Sequence, residues 1–155
     1  MGLLVGLISD THGLVRPGLF SALDGVEMIL HAGDVGDGVL DEIKAIAPVR
    51  AVRGNTDPPG YPGLEEALDL ELGGVRVHVS HGHELGAPTP AKLFAAYAAD
   101  VIVYGHTHRQ LVVNADGRWV INPGAAGARR FDLRPSVGRL RIDSGKVEVE
   151  LVELA

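Results

Sequence analysis

A short apolar run in the second half of the chain ends abruptly at two histidines. Residues 101–104 favour a buried β-strand, and Gly105-His106-Thr107-His108 follows at once. Imidazoles at the end of a buried strand need a hydrogen-bond partner or a ligand, because burying an unsatisfied polar group is costly. Histidine is also the commonest protein ligand for transition metals. This stretch therefore raises the question of whether the rest of the chain supplies further metal ligands.

Apolar runs of strand length recur along the chain with turn residues between them. Besides 101–104, strands are predicted over residues 3–8, 28–30, 49–52, 68–72, 75–79, 111–113, 119–121, 137–142 and 147–152. Gly73-Gly74, Asp116-Gly117 and Ser144-Gly145 predict β-hairpins. Helices are predicted over 17–23, 37–47 and 91–99, the last with Thr89 as N-cap and Pro90 at the first position. Loop 58–63 is expected to cover a sheet edge. Strand–helix alternation followed by hairpins predicts a mixed sheet system with helices outside it.

The bulk composition narrows the class of protein. A chain of 155 residues is expected to form one domain, residues 1–155, with a substantial core. The formal net charge of −6 argues against stable nucleic-acid binding or an anionic membrane partner. The apolar N-terminus is short and lacks a basic lead, so a buried strand is favoured over a signal peptide and a cytoplasmic location is expected. Because the chain has no cysteine, any metal must be held by His, Asp, Glu or Asn.

Six of the apolar runs end in polar side chains, and the carboxyl ends of strands in open α/β sheets line binding crevices. The side chains with metal-ligand character after these runs are Asp10, His12, Asp34, Asn55, His81, His106 and His108. Seven groups exceed what one tetrahedral ion takes, and they suit two divalent cations. Two such cations bridged by a carboxylate and a hydroxide form a centre for phosphoester hydrolysis. Their charge would also make the site electropositive within an acidic protein.

These blocks, in this order, give the chain a family resemblance. Asp10-Thr11-His12, Gly33-Asp34, Gly54-Asn55, His81-Gly82-His83 and Gly105-His106-Thr107-His108 resemble the motifs of the calcineurin-like metallophosphoesterase superfamily. The chain looks most like its small bacterial and archaeal YfcE-type phosphodiesterases. The resemblance implies an α/β fold, a four-layer α-β-β-α sandwich of two mixed β-sheets flanked by helices.

The resemblance also implies a division of the ligands. One metal would be held by Asp10, His12, Asp34 and His108, and the other by Asp34, Asn55, His81 and His106, with Asp34 as the bridge. Mn²⁺ is the expected ion, with Ni²⁺, Co²⁺, Fe or Zn²⁺ as alternatives. Hydroxide between the metals would attack a small phosphodiester, with Asn55, Asp34 and His83 as catalytic residues. A homodimer or larger homo-oligomer is expected from the family.

Two positions depart from the family pattern. Many members have a histidine directly after the motif asparagine, where this chain has Thr56, followed by Asp57. A threonine hydroxyl is a poor general acid at neutral pH, so the departure favours substrates with good leaving groups. His83 is the residue that could take the place of the missing histidine. The serine usual after the weaker Asn122-Pro123-Gly124 block is Ala125 here, so one hydroxyl contact is missing.

Several residues that could carry chemistry have simpler interpretations. His78 is expected to be a hydrogen-bonded sheet residue, and His31 a structural residue beside the site rather than a ligand. Asp57 is expected either to cap the Pro58-Pro59 turn or to reach the chemistry. Arg129-Arg130 is expected to form surface salt bridges, with phosphate binding as the alternative.

Two other functions compete with phosphodiester hydrolysis. A phosphomonoesterase or protein phosphatase would use the same site on another substrate, and the absent histidine at Thr56 speaks against it. A protein-binding module resembling the retromer scaffold subunit would have the same fold. A scaffold has no need of all seven ligands, so the complete set favours the enzyme.

Overall fold

The computed structural model describes residues 2–130 and 132–154, which form eleven strands, three α-helices and one 3₁₀ turn. The strands are β1 (Leu3–Ile8), β2 (Met28–His31), β3 (Val49–Val52), β4 (Leu64–Glu65), β5 (Leu68–Leu72), β6 (Val75–Val79), β7 (Val101–Val103), β8 (Leu111–Ala115), β9 (Arg118–Asn122), β10 (Ser136–Asp143) and β11 (Lys146–Glu153). The helices are α1 (Gly18–Ala22), α2 (Val39–Ile43) and α3 (Pro90–Ala96), and the 3₁₀ turn is His83–Leu85. None of these helices has the length and apolar character needed to cross a bilayer.

The strands form two mixed sheets. The first sheet has the order β11-β10-β1-β2-β3-β4, and the second has the order β5-β6-β7-β9-β8. Strands β1, β2 and β3 run parallel in the first sheet, as do β6, β7 and β9 in the second. Each parallel trio therefore brings the residues that follow it to one edge of its sheet. These are the six strand ends at which the sequence showed polar side chains, and five of them carry the predicted metal ligands.

Three apolar clusters fill the spaces between the layers of the molecule. The central cluster lies between the sheets, where Leu7 and Leu30 of the first sheet pack with Val79 and Val103 of the second. A second cluster joins the outer face of the first sheet to α1 and α2, and a third joins Leu93 of α3 to the second sheet. The result is helix, sheet, sheet, helix, which confirms the predicted four-layer α-β-β-α sandwich.

The hairpins agree with their turn signals, and the helices are shorter than predicted. Antiparallel pairs β5–β6, β8–β9 and β10–β11 are joined at Gly73-Gly74, Asp116-Gly117 and Ser144-Gly145. Helix α2 begins only at Val39, because Gly38 has a left-handed backbone that a helix interior does not admit.

Helix α3 ends three residues before the predicted end, although Thr89 caps it as expected by accepting the Lys92 N–H. Tyr97 leaves the helical conformation, and its ring stacks on the buried His78 with the centroids 3.8 Å apart. Loop 58–63 leads into β4, which pairs with β3 and covers that edge of the first sheet. No strand was predicted at β4.

Candidate metal centre

All seven predicted ligand side chains meet where the two parallel trios end. Asp10 Oδ1 lies 3.9 Å from His12 Nε2, 3.8 Å from His81 Nε2 and 3.4 Å from His108 Nε2. Asp34 Oδ2 lies 3.2 Å from His81 Nε2 and 3.8 Å from His12 Nε2. The two carboxylates thus stand between imidazoles delivered by both sheets.

The remaining two ligand candidates lie on the His81 side. The His106 ring meets the His81 ring edge-on, with centroids 5.2 Å apart. Asn55 Oδ1 lies 3.1 Å from His106 Nδ1, so the exposed amide from the loop after β3 reaches the imidazole that follows β7. Side chains 51 residues apart in the chain are thereby brought into contact.

Two compact groups of ligand atoms stand out within this set. One consists of Asp10, His12 and His108, the other of Asp10, Asp34 and His81, and in each group the ligand atoms lie within 4.8 Å of one another. Asp10 is common to both groups, whereas the family resemblance assigns the bridge to Asp34. Because Asp34 Oδ2 also lies near His12, both carboxylates contact both groups, and the division of ligands stays a prediction.

The residues fit divalent cations because ligand atoms are buried without a protein partner. Within residues 2–130 and 132–154, Asp10 Oδ1 and His81 Nε2 are buried and form no hydrogen bond. Asp10 and His81 are each 1% exposed, so bulk water does not reach these atoms. Leaving a carboxylate oxygen and an imidazole nitrogen unsatisfied is costly, and a cation bound between them would satisfy both.

The other atoms of the same side chains are hydrogen-bonded and fix the ligand geometry. His81 Nδ1 lies 2.8 Å from the Ala32 carbonyl oxygen and donates to it, which turns the Nε2 lone pair toward the carboxylates. Asp10 Oδ2 accepts from Ser9 Oγ at 2.6 Å and from the His106 N–H at 3.1 Å. Asp34 Oδ1 accepts the Thr56 N–H at 2.9 Å, so each carboxylate keeps one oxygen for a metal.

The backbone at the ligands is strained. Asp10, His12, Asp34, His106 and His108 have φ values of 53°, 46°, 54°, 71° and 63°. The other non-glycine residues with positive φ among the described residues are Asp116 and Ser144, in the β8–β9 and β10–β11 turns. Left-handed backbone is rare for residues with a side chain, and strain of this kind concentrates at functional sites. Five of the seven predicted ligands carry it.

Two glycines make room for this arrangement. A Cβ on Gly54 would lie 2.1 Å from Asp34 Oδ1, and one on Gly105 would lie 1.9 Å from Ser9 Oγ. Any side chain at these positions would displace the carboxylate of Asp34 or the hydroxyl that holds Asp10. The motif glycines are therefore needed for close approach.

Burial and neighbouring charges shift the pKa values of Asp34, His81 and His106. Burial alone would raise the pKa of Asp34, but the adjacent His81 imidazole and the hydrogen bond from the Thr56 N–H lower that pKa well below its usual range. Burial would lower the pKa of His81, and the adjacent carboxylates of Asp34 and Asp10 raise it instead. Burial, together with the charge of His81, lowers the pKa of His106. Asp34 is thus held as the anion that a metal ligand must be.

His83 lies at the border of the centre on the 3₁₀ turn. Its ring is 5.3 Å from that of His81 and 6.3 Å from that of His106. Glu84 holds the turn by accepting the Gly82 N–H at 2.9 Å and the Tyr97 hydroxyl at 2.7 Å. Burial and the contact with Glu84 raise the pKa of Tyr97 to about 12, so the phenol stays a donor.

The buried histidines outside the ligand set have the structural roles that were predicted. His31 Nδ1 accepts the Gly33 N–H at 3.1 Å, and its Nε2 lies 2.9 Å from Thr11 Oγ1. His78 Nδ1 lies 2.8 Å from Asp69 Oδ1, whereas His78 Nε2 is buried without a hydrogen-bond partner among the described residues, so only one of its two ring nitrogens is satisfied. Neither imidazole is in contact distance of the two carboxylates of the centre.

Two predictions for charged residues were wrong. Asp57 neither caps the Pro58-Pro59 turn nor reaches the ligand groups, because its carboxylate accepts N–H groups of Val35, Gly36 and Gly54. It ties the loop after β2 to the loop after β3, which positions Asp34 and Asn55. Arg129 and Arg130 are exposed and form no ion pair with another described residue, contrary to the expected salt bridges.

Sequence reasoning also missed Ser9 and undervalued Asn122. Asn122 Nδ2 donates to the Gly105 carbonyl at 3.1 Å and to Thr107 Oγ1 at 3.0 Å, and so holds the turn that carries His106 and His108. The polar residue ending β9 was the available signal for Asn122. Ser9 had no signal, because a buried serine before Asp10 is ordinary in sequence.

A comparison with protein families agrees with this centre. A family model described as the calcineurin-like phosphoesterase superfamily domain matches residues 3–145. The chain belongs to the calcineurin-like phosphoesterase superfamily. The members of this superfamily that it resembles are small proteins, as the following relatives show.

Two curated relatives resemble this calcineurin-like phosphoesterase in sequence, and one solved structure resembles it in fold. A protein of Methanothermobacter thermautotrophicus named "Probable metallophosphoesterase" is 34% identical over 161 residues, which cover 97% of this chain and 92% of that protein. A protein of Methanocaldococcus jannaschii named "Phosphodiesterase" is 28% identical over 139 residues, 77% of this chain and 82% of that protein. Vacuolar Protein Sorting 29 from Cryptosporidium parvum has a similar fold, with a TM-score of 0.80, 24% identity and coverage of 99% and 98%.

These similarities confirm the predicted family and the predicted enzyme class. With its family and named relatives, the chain is a metallophosphoesterase hydrolase. The family implies divalent metal ions, for which the Asp10–His12–His108 and Asp10–Asp34–His81 groups are the candidate sites.

Proposed function

We propose that this protein is a phosphodiesterase that works with two divalent cations. The observation that carries the proposal is the meeting of seven ligand-type side chains from both sheets, two of them carboxylates, with buried and unpartnered ligand atoms on Asp10 and His81. Mn²⁺ is proposed as the ion, with Ni²⁺, Co²⁺, Fe or Zn²⁺ as alternatives for a histidine-rich site without thiolates. A cytoplasmic location and homodimerisation stay predictions.

The proposed ligands keep the division implied by the family motifs. Asp10, His12, Asp34 and His108 would hold one cation, and Asp34, Asn55, His81 and His106 the other. Cations bound there supply an acidified water as nucleophile and positive charge against the phosphoryl oxygens.

The chain's own residues orient the substrate. Asn55 is exposed and His83 half-buried beside His81 and His106, so an amide donor and an imidazole flank the open side of the centre. We assign both to contacts with the phosphoryl group. Thr56 is exposed, and its N–H donates a hydrogen bond to Asp34. The weakly acidic hydroxyl is then the remaining group of Thr56 that could donate a proton to a leaving group.

Thr56 favours diesters with good leaving groups over monoesters. A leaving oxygen of high pKa needs a proton donor, which a threonine hydroxyl supplies poorly. The relative named "Phosphodiesterase" supports the same substrate class. A phosphomonoesterase or protein phosphatase is therefore the second candidate.

A protein-binding scaffold is the candidate of a different kind, since the fold is shared with Vacuolar Protein Sorting 29. The complete ligand set with its strained backbone argues for the enzyme, because docking alone requires neither. The two candidates differ in metal-dependent hydrolysis, which the enzyme performs with about two ions per chain and which docking does not require.

The test is hydrolysis of bis(4-nitrophenyl) phosphate with added Mn²⁺, together with metal analysis of protein purified without chelator. Asp34→Asn is expected to reduce hydrolysis to the background rate and to lower metal content. Asp41→Asn is the matched control, because the Asp41 side chain is 90% exposed on α2 and contacts Lys44 rather than the ligand groups. Undiminished hydrolysis in Asp34→Asn would refute the assignment.

A further inference from the structure

A cavity of about 400 Å³ opens beside His108. Its lining includes Arg109 and Gln110, which follow His108 in the chain, Glu153 at the end of β11, and the residues Asp132, Leu133 and Arg134 ahead of β10. His108 Nε2 lies 3.4 Å from Asp10 Oδ1, so the cavity adjoins the metal centre directly. Its volume is in the range of small-ligand sites and leaves room for more than one phosphoryl group.

The segment that leads to this cavity is rich in arginine. Gly127 lies against Thr11, and its carbonyl accepts from Arg16 Nε at 2.7 Å, so the segment starts beside the His12 loop. The Leu133 N–H donates to the Arg130 carbonyl at 2.9 Å, which folds the segment back at the cavity. The segment thus begins beside the His12 loop and reaches the cavity at Asp132, Leu133 and Arg134.

The charges along this segment and the cavity are unbalanced. We call the four exposed arginines there the arginine rim: Arg109, Arg129, Arg130 and Arg134. Asp132 and Glu153, both exposed, line the cavity and match Arg109 and Arg134 in number, so the positive excess of the rim comes from Arg129 and Arg130, in a chain whose formal net charge is −6.

The arginine rim is poorly neutralised by the protein itself. Arg134 Nε lies 3.8 Å from Glu153 Oε2, and both side chains are more than half exposed, so this pair is weak. Arg109, Arg129 and Arg130 form no ion pair with any other described residue. Unpaired guanidinium groups beside a phosphoester centre are suited to a second phosphate, which they bind in bidentate fashion.

We propose that the preferred substrates are small diesters carrying a second phosphate group, which Arg109 and Arg134 bind in this cavity. The inference rests on the proposed phosphodiesterase function and adds the substrate class. The diester phosphorus would lie at the metal centre, and the additional phosphate would lie past His108. Hydrolysis adds one water, breaks the P–O bond to the leaving group and leaves the second phosphate intact.

Two matched substrates test the proposal in the Mn²⁺-loaded protein. They are the 5′-(4-nitrophenyl phosphate) of thymidine and the same ester with a 3′-phosphate. Wild-type protein is expected to hydrolyse the 3′-phosphorylated ester with a kcat/KM about tenfold higher, since one charge-assisted contact is of this size. In the double variant Arg109→Gln/Arg134→Gln the ratio is expected to fall to about one.

The control removes the same charge elsewhere. Arg76→Gln/Arg141→Gln changes two exposed arginines of β6 and β10 that do not line the cavity, and it is expected to keep the wild-type ratio. Loss of the preference in this control would mean that overall charge, not the cavity, selects the substrate. That result, or equal kcat/KM for both esters in the wild type, would overturn the proposal.

A binding measurement separates this inference from the proposed function. Calorimetry with Mn²⁺-loaded protein compares adenosine 3′,5′-bisphosphate with adenosine 5′-monophosphate. The bisphosphate is expected to bind about tenfold more tightly than the monophosphate to the wild type, and equally tightly to the Arg109→Gln/Arg134→Gln variant. If neither ester is hydrolysed, the phosphodiesterase function fails, and calorimetry still decides whether the cavity binds a second phosphate.

Discussion

At the scale of single residues, the hydrogen bonds of His31 restrict its ring to one protonation state. Its ring is fully buried, and its Nδ1 accepts the Gly33 N–H while its Nε2 lies against Thr11 Oγ1. Thr11 Oγ1 donates to the Val35 carbonyl, so it accepts from the His31 ring. Both ring nitrogens are thus satisfied only in the neutral imidazole, and burial lowers the pKa of His31 to about 4.

This residue predicts an acid-sensitive contribution to folding. Because the unfolded histidine titrates near its ordinary pKa of 6.5, the unfolded state binds more protons between pH 6.5 and about 4. The free energy of unfolding should therefore fall by about 3 kcal/mol as pH is lowered through that range. His31→Asn retains an acceptor for the Gly33 N–H and should lose this part of the pH dependence.

Urea unfolding at pH 7.5 and pH 4.5 measures the effect. The protein is first treated with a chelator, so that the pH dependence of metal binding does not contribute to the result. The quantity compared is the pH-dependent change in wild type minus the change in His31→Asn. Equal pH dependence in the two proteins would show that His31 is not held neutral.

A second prediction concerns the close approach at Gly54. In Gly54→Ala the new methyl group would collide with Asp34 Oδ1 and with the Asp34 backbone nitrogen, at 2.1 and 2.2 Å, far below contact distance. The backbone and the carboxylate of Asp34 should both move, and Mn²⁺ affinity measured by calorimetry should fall about 10- to 100-fold.

Gly6→Ala is the control for Gly54→Ala. The nearest atoms to its methyl group would be side-chain carbons of Leu23 and Ile29 in the apolar layer. It should lower the free energy of unfolding while leaving Mn²⁺ affinity unchanged. Wild-type affinity in Gly54→Ala would mean that Asp34 adapts to the added methyl group.

At the scale of elements, the turn after β7 depends on the end of β9. Asn122 gives both of its amide protons to this turn, one to the Gly105 carbonyl and one to Thr107 Oγ1. The same Thr107 oxygen accepts the Arg109 N–H at 3.2 Å. One side chain of β9 therefore fixes the path of the chain through His106 and His108.

Removing this support should loosen the ligands without unfolding the sheet. Asn122→Ala is expected to lower Mn²⁺ affinity about 10- to 100-fold in calorimetry, because the imidazoles lose their orientation. Asn114→Ala is the matched control, since Asn114 serves only the β8–β9 turn through Gly117. A similar loss of affinity in both variants would contradict the role given to Asn122.

The strand ends were predictable because their signal is local. Each ligand follows an apolar run directly, and parallel strands bring such ends together, so Asp10, Asp34 and His81 were identified before their contacts were known. The role of Asp57 was not predictable, because its partners Val35 and Gly36 lie 22 and 21 residues away. Strand β4 and the early end of α3 likewise depend on contacts with β3 and with His78, which leave no local pattern.

At the scale of the whole molecule, the centre joins the two sheets. Asp10, Asp34 and Asn55 follow strands of the first sheet, and His81, His106 and His108 follow strands of the second. The apolar layer holds the sheets together along their faces, and bound cations would add a second connection at one edge. Metal binding should therefore be coupled to the stability of the entire sandwich.

Chelation is expected to destabilise the wild-type protein. With free Mn²⁺ at about 100 times the dissociation constant, the free energy of unfolding should exceed that of the chelated protein by about 2.7 kcal/mol for each site. Urea unfolding followed by circular dichroism, with Mn²⁺ or with EDTA, measures the difference. Asp34→Asn should respond less than wild type, and Asp41→Asn should respond equally. Identical unfolding curves with and without Mn²⁺ would show that bound cations do not connect the two sheets.

The left-handed backbone at Asp10, His12, Asp34, His106 and His108 has a consequence for how such a chain evolves. Glycine adopts this conformation without a steric cost, so selection for stability alone would drive these five positions toward glycine. Each retained side chain is a departure from that optimum, maintained only while binding is under selection. A descendant that gave up catalysis for another task would thus be expected to lose these ligands to glycine or asparagine, and to become more stable as it did so.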